Sequence, residues 1–349
     1  MNAAGHGVGL TTDRIPDVPR APRLTANSGA SSPGSDTGLQ AVSDTERQGA
    51  YSLNRRTFAA GLGLLSGALL LGLPVPADAA RRMTLQGQVV AHVRRLRAQG
   101  AIARDEETSW SVYDFTGRKK LVSINEEAPR QAASMMKPFV ALAFFYTVSG
   151  RGSPVRYTSS MRDVMERMIR VSNNPATNEV MEIVSRHNGG NGPRDVELVL
   201  RRNAPQIFQQ TRIVEYIPAN GRTYRNQASA RDYSRFLYAL YHNQFPYSGE
   251  LREIMGLPNG NRITRGVPGI PQNTRVIHKT GSTAHLCGDM GIVECVDRRG
   301  RPRPYTFVGI IEKATRTDNY PVWIRARGDA IRSVSGVVFA YMRDQHQLV

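Results

Sequence analysis

Cysteine is almost absent: Cys287 and Cys295 are the only two in 349 residues. Two thiols cannot build a disulfide scaffold or a four-ligand zinc site. The seven histidines include no H-E-x-x-H pattern, so a metallohydrolase is not expected, and neither a metal nor an organic cofactor is implied. No heptad run suggests a coiled coil, and 32 Gly and 20 Pro are too dispersed for collagen. Acidic side chains are in deficit, 29 against 46 basic ones, giving a formal net charge of +17. Lysine is scarcer still, since five lysines stand beside 41 arginines. The basic clusters Arg94-Arg95-Leu96-Arg97, Arg118-Lys119-Lys120, Arg201-Arg202 and Arg298-Arg299-Gly300-Arg301 are scattered along the chain. Without an RNA-binding signature or a basic zipper helix, that scatter reads as a solvated basic surface rather than a nucleic-acid site.

Residues 1–50 are polar, rich in Gly, Ser, Pro and Asp, and lack a hydrophobic period; they read as a disordered extension. Arg55-Arg56 then precede an apolar run from Phe58 to Leu73 that ends at Ala77-Asp78-Ala79. That layout predicts a twin-arginine-type signal peptide over 51–80. The run is short for a membrane span and interrupted by glycine, which favours export with cleavage over an anchor. Some fifty polar residues ahead of a leader are unusual, and translation starting nearer the arginine pair, at Val42 or Leu53, would account for them. Six basic and six acidic residues precede Ala80, so cleavage after Ala79 leaves the full +17 on the remaining chain. The expected product is periplasmic or secreted, monomeric and without a stable membrane span. Its two cysteines, eight positions apart, are expected to be free buried thiols, because on one strand they lie too far apart to bridge.

Residues 81–349 read as one domain. Hydrophobic spacing predicts a helix near 86–99, strands over 109–115 and 120–125 joined by Thr116-Gly117, and a strongly apolar helix over 134–148. Met161, Met165 and Met168 recur at helical spacing and are taken as core. Further helices fit 175–186, 194–202 and 230–243. Strands fit 275–279, 290–296 and 305–311, ahead of a closing helix over 322–343. This order predicts an α+β fold: an antiparallel sheet flanked by the N- and C-terminal helices in an α-β-α sandwich, with an inserted all-helical lobe.

Three short patterns carry chemistry: Ser134-Met135-Met136-Lys137, Ser172-Asn173-Asn174 and Lys279-Thr280-Gly281. The first two are weak alone, but a K-T-G is expected only about 0.03 times by chance in this composition. Two of the five lysines fall in these patterns, in a chain that otherwise uses arginine. Ser134 and Lys137 are i and i+3 at a helix start, so they share a face. A lysine pushed towards neutrality there can take the serine proton, which an arginine cannot. Free backbone N–H groups at the same helix start lie near the serine oxygen. Gly281, at the end of a strand, lets a substrate backbone approach closely.

With these motifs the sequence resembles the class A β-lactamases and the wider penicillin-recognising serine hydrolases, over residues 86–345. The resemblance implies Ser134 as nucleophile, Lys137 as its base or proton relay, and Ser172 as proton donor to the leaving nitrogen. It implies that Asn174 orients the substrate amide and Lys137, and that Lys279, Thr280 and Ser282 bind the substrate carboxylate. Backbone N–H groups of Ser134 and Ser282 would form the oxyanion hole. Two departures stand out. Only 38 positions separate Ser134 from Ser172, and Asn173 stands where the family has Asp. The stretch Thr211–Gly221, matched to the family's Ω-loop, contains no E-x-x-L-N; Glu215 is its one carboxylate, either a deacylating base or a solvent-facing loop residue. His187, His278 and His285 have no partner pattern and read as packing or rim residues, with His285 placed to line the cleft. The implied activities are slow β-lactam hydrolysis, a D-alanyl-type peptidase or transpeptidase reaction on cell-wall peptide, or a penicillin-binding sensor without turnover.

Overall fold

In a computed structural model, which describes residues 83–218, 220 and 225–349, both ends of the domain contribute strands to one sheet. The chain runs through α1 (Leu85–Ala98), β1 (Glu106–Asp114), β2 (Lys119–Ile124), β3 (Arg130–Gln131) and a 3₁₀ turn at Ala133–Met136. The helical lobe follows as α2 (Lys137–Ser149), α3 (Ser159–Ile169), α4 (Asn174–Arg186) and α5 (Pro193–Asn203). Then come β4 (Gln227–Ala228), α6 (Ala230–Tyr241), α7 (Ser248–Met255), β5 (Arg275–Ser282), β6 (Leu286–Glu294), β7 (Tyr305–Lys313) and α8 (Tyr320–His346). The expected extension over 1–50 and leader over 51–80 lie outside the described residues.

The sheet is antiparallel throughout, in the order β2-β1-β7-β6-β5. Both faces are covered, so the central strands read as nearly continuous apolar runs. On one face α1 and α8 bring Val89, Val93, Ile331 and Val338 against Trp110 and Phe307 of the sheet. The other face carries α6 and the lobe, with α2 at the centre of the larger core. Every residue from Lys137 to Phe145 is buried. A helix apolar on all sides has no solvent face to offer, so it can only sit inside. Met165 and Met168 are fully buried, with Met161 packed at the margin, as their spacing predicts. Among the described residues no helix is long and apolar enough to cross a membrane.

Three local features differ from expectation. Ser134 lies in a 3₁₀ turn, and the α-helix begins only at Lys137. Pro138 explains the boundary: it has no N–H to donate and fits the first turn of a helix, not its interior. β6 starts at Leu286 rather than 290, because Gly288 and Asp289 weaken the strand pattern there. α7, eight residues long, is too short for its periodicity to show. Cys287 and Cys295 are free and buried, and burial pushes their thiols up to about 11 and about 12.

Candidate active site

The turn that carries Ser134 is held in place from below. Met135 is fully buried, and its side chain lies over the cross-strand pair Gly281 and Gly288 of β5 and β6. A Cβ on Gly281 would stand 2.8 Å from Met135 Cγ and 3.3 Å from its backbone N; one on Gly288 would stand 2.9 Å from Met135 Sδ. Only glycine lets the sheet approach the turn this closely. Ala133, the residue before the serine, has φ +45°, a left-handed conformation that costs a non-glycine residue about 1–2 kcal/mol. Ser134 itself is half-buried. Gly281→Ala is expected to destabilise the fold by about 2 kcal/mol through overpacking. The same variant should slow any reaction at Ser134 more than the stability loss explains, which thermal unfolding and a single-turnover assay on one preparation separate.

Lys137, the first residue of the buried α2, points across the lobe to α4. Its Nζ is 2.5 Å from the Ser172 carbonyl oxygen, 2.8 Å from Asn174 Oδ1 and 3.3 Å from Ser172 Oγ. Lys279 of β5 reaches the same hydroxyl, its Nζ donating to Ser172 Oγ at 3.1 Å and to the Thr280 carbonyl at 3.0 Å. Two lysines from distant segments therefore converge on Ser172. Burial, with the Lys279 ammonium beside it, pushes Lys137 down to about 6. Burial and the Arg262 guanidinium push Lys279 to about 8, against the pull of Asp289. At neutral pH the arrangement is one neutral amine next to one ammonium. Lys279 then donates to the Ser172 oxygen, and the Ser172 O–H is free to donate to the Lys137 lone pair. Such a chain can accept a proton at Lys137 and return it through Ser172.

Ser172 has φ +60°, and that left-handed turn aims its carbonyl at Lys137. Asn173 follows as the N-cap of α4, its Oδ1 accepting from Ala176 N at 2.8 Å. Asn serves as well as Asp at an N-cap, which is why the departure at this position is compatible with the same local geometry.

Ser282, at the end of β5, is gripped by a residue that no sequence pattern singles out. Arg262 donates from Nη2 to Ser282 Oγ at 2.7 Å and from Nη1 to the Gly288 carbonyl at 2.8 Å. Its backbone N–H donates to Asp289 Oδ2 at 2.7 Å. The guanidinium thus adds a second cation beside Lys279 on the Ser282 side. It is one of 41 arginines and lies 17 positions before Lys279 on a loop, so nothing local marks it. His278, read as packing, is buried as expected but has polar partners: its ring faces Asp289 Oδ1 at 3.1 Å and Asn259 Oδ1. His285 Nδ1 lies 3.1 Å from the Ala314 carbonyl.

Glu215 Oε1 accepts from the Arg225 N–H at 2.8 Å, and the Glu215 backbone is clasped by the Asn226 amide. The residue of this loop that α4 holds is Ile217. Asn178 Nδ2 donates to the Ile217 carbonyl at 2.8 Å, and Asn178 Oδ1 accepts from the Ile217 N–H at 2.9 Å. Asn178 is one helical turn from Asn174, so the clamp sits beside the Lys137 cluster and presents a buried apolar side chain.

The sheet, the inserted lobe and the S-x-x-K turn facing a K-T-G strand define the class A β-lactamase fold. A sequence profile of the β-lactamase enzyme family matches residues 149–331, more than half of the chain, and the chain belongs to that family. No curated protein sequence matches it significantly. Among solved structures, it is similar to a mutant of PBP-A captured as an acyl-enzyme complex with penicillin G. That likeness has a TM-score of 0.57 at 19% identity and covers 74% of this chain and 96% of the other. A class A β-lactamase representative from Bacteroides cellulosilyticus aligns with TM-score 0.57 and 16% identity over 75% of this chain and all (100%) of that one. A β-lactamase from Xanthomonas campestris aligns with TM-score 0.57 and 18% identity over 73% and 97%.

Proposed function

We propose that the protein is an exported serine acyl-transfer enzyme in which Ser134 attacks a β-lactam, or a D-alanyl-type amide, and forms an acyl-enzyme. The observation that carries this reading is the convergence of Lys137 and Lys279 on the Ser172 hydroxyl. Lys137 takes the Ser134 proton, Ser172 delivers a proton to the leaving nitrogen, and the bond from carbonyl carbon to nitrogen breaks as the ester forms. Backbone N–H groups of Ser134 and Ser282 hold the oxyanion, while Asn174 orients the substrate amide. Lys279, Thr280 and Ser282, with Arg262 behind Ser282, hold the substrate carboxylate.

Release of the acyl group is the slow step. Hydrolysis of the ester needs a base for water, and the loop residue clamped next to the Lys137 cluster is Ile217. This favours slow β-lactam turnover and gives weight to the second reading, a wall peptidase or a penicillin-binding sensor whose acyl-enzyme persists. The PBP-A mutant captured as a penicillin G acyl-enzyme is in keeping with it.

Acylation should follow a bell in pH. Below about 6 a proton on Lys137 blocks its role as base, so kcat/KM falls about tenfold per pH unit. Above about 8 Lys279 loses the charge that holds the carboxylate, and KM rises. A fluorescent penicillin read on a denaturing gel across this range tests the reading. A covalent band with both limbs supports it, and an absent band, or labelling indifferent to pH between about 4 and 7, overturns it.

A further inference from the structure

A second cleft, of about 690 Å³, opens at the other edge of the sheet, where the β1–β2 hairpin meets the outer side of α6. Four strand spacings separate β2 from β5, which puts the cleft about 20 Å from Lys279. One wall is written into α6 as a stripe. Arg231, Arg235 and Tyr238 fall at i, i+4 and i+7, a single helix face roughly 10 Å long. The opposite wall holds Tyr113 and Lys120, cross-strand partners just past a bulge in the β1–β2 ladder. Bulges re-aim side chains and recur beside sites.

The rings form a cluster that is not a core. Tyr113 stands edge-on to Tyr238 with centroids 5.3 Å apart, Phe115 stacks on Tyr238 at 5.8 Å, and His242 lies 4.4 Å from it. All four remain partly open to solvent. Aromatic area left uncovered at the mouth of a cleft is area that a flat, apolar-faced ligand can bury.

The polar lining says what kind of ligand. Lys120 is already committed to Ser111, Glu126 and Ser234, at 2.6, 2.8 and 3.1 Å. Arg231 pairs with Glu126 and Glu127. Lys120, Arg231 and Arg235 line the cleft with Glu126, and Arg231 also pairs with Glu127 beside it, so two of the three cations are already ion-paired. A nucleic acid or other polyphosphate would bring one charge per unit against Glu126 and Glu127. Among the described residues Arg235 bonds through Nη1 alone, to the Gln206 carbonyl and the Gln209 side chain. The Tyr113 and Tyr238 phenols make no hydrogen bond among the described residues. Ring faces, planar donors and largely paired charge suit a ligand dense in hydroxyl and amide groups.

We propose that this cleft binds an oligosaccharide of acetamido sugars, laid along α6 with its rings on Tyr113 and Tyr238 and its hydroxyls on Arg235. The inference shares no residue with the Ser134 cluster and holds whether or not Ser134 is acylated. Calorimetric titration of the full chain with tetra-N-acetylchitotetraose tests it. Saturable binding is expected, weakened at least about tenfold in Tyr238→Ala and in Arg235→Ala. Tyr238→Phe, which keeps the ring, should stay within about threefold of the parent, and Ser134→Ala should bind like the parent. No binding up to about 10 mM sugar overturns the proposal, as does unchanged affinity in Tyr238→Ala. Displacement of the sugar by oligothymidylate at lower concentration also overturns it, and reassigns the cleft to single-stranded nucleic acid.

Discussion

Lys137→Met should slow acylation of Ser134 by about 10³-fold, because it removes the proposed base and leaves the hydroxyl with no acceptor for its proton. Methionine fills nearly the same volume in the buried first turn of α2, so the fold should survive. Lys137→Arg should not rescue the rate, since a guanidinium stays protonated and cannot serve as base. A stability readout distinguishes the role of the amine from simple packing. Lys137 is lowered to about 6 in the folded chain against an ordinary lysine value of 10.5. Between those values the unfolded chain binds a proton at this position that the folded chain does not. Stability therefore rises with pH across that window, and Lys137→Met should flatten the part of the rise that Lys279 does not supply. Stopped-flow acylation and denaturant titrations at several pH values check both statements. A variant that acylates within about tenfold of the parent would exclude Lys137 as the base.

Ile217→Glu should shorten the lifetime of a penicilloyl-enzyme by about 10²-fold, the usual worth of a positioned general base. The argument is one of position. Asn178 clamps the backbone of residue 217 through both of its amide atoms, one turn along α4 from Asn174. A carboxylate placed there stands next to the lysine cluster without any change in loop length. Glu215→Gln should leave the lifetime within about threefold of the parent, since that carboxylate accepts from Arg225 within its own loop. Decay of a labelled acyl-enzyme after removal of free penicillin measures both. An unchanged lifetime in Ile217→Glu would overturn the positional argument, and a lengthened one in Glu215→Gln would return the deacylating role to Glu215.

Much of the candidate site can be read in the chain because its chemistry needs residue types that the rest of the protein avoids. Lysine is the clearest case: the base proposed at 137 has to be a titratable amine, and an arginine-rich chain makes it visible. The helices are legible where a solvent face gives them a period, as in α4 and α5. Sequence spacing puts Ser134 at the right turn but in the wrong helix type, because the 3₁₀ geometry depends on Pro138 and on the glycine floor beneath Met135. Arg262 and Ile217 are marked by no pattern. Each acts through a contact between segments far apart in sequence, Arg262 with the end of β5 and Ile217 with Asn178. The two-residue ladder of β3 and β4 falls below the length at which alternation means anything.

The most direct test is intact-mass spectrometry of the full chain after penicillin treatment, followed by peptide mapping. If Ser134 is the nucleophile, the chain gains one penicillin mass, carried on the peptide that contains Ser134 and absent from Ser134→Ala. An adduct on any other residue, or none in a chain shown by circular dichroism to be folded, would contradict it.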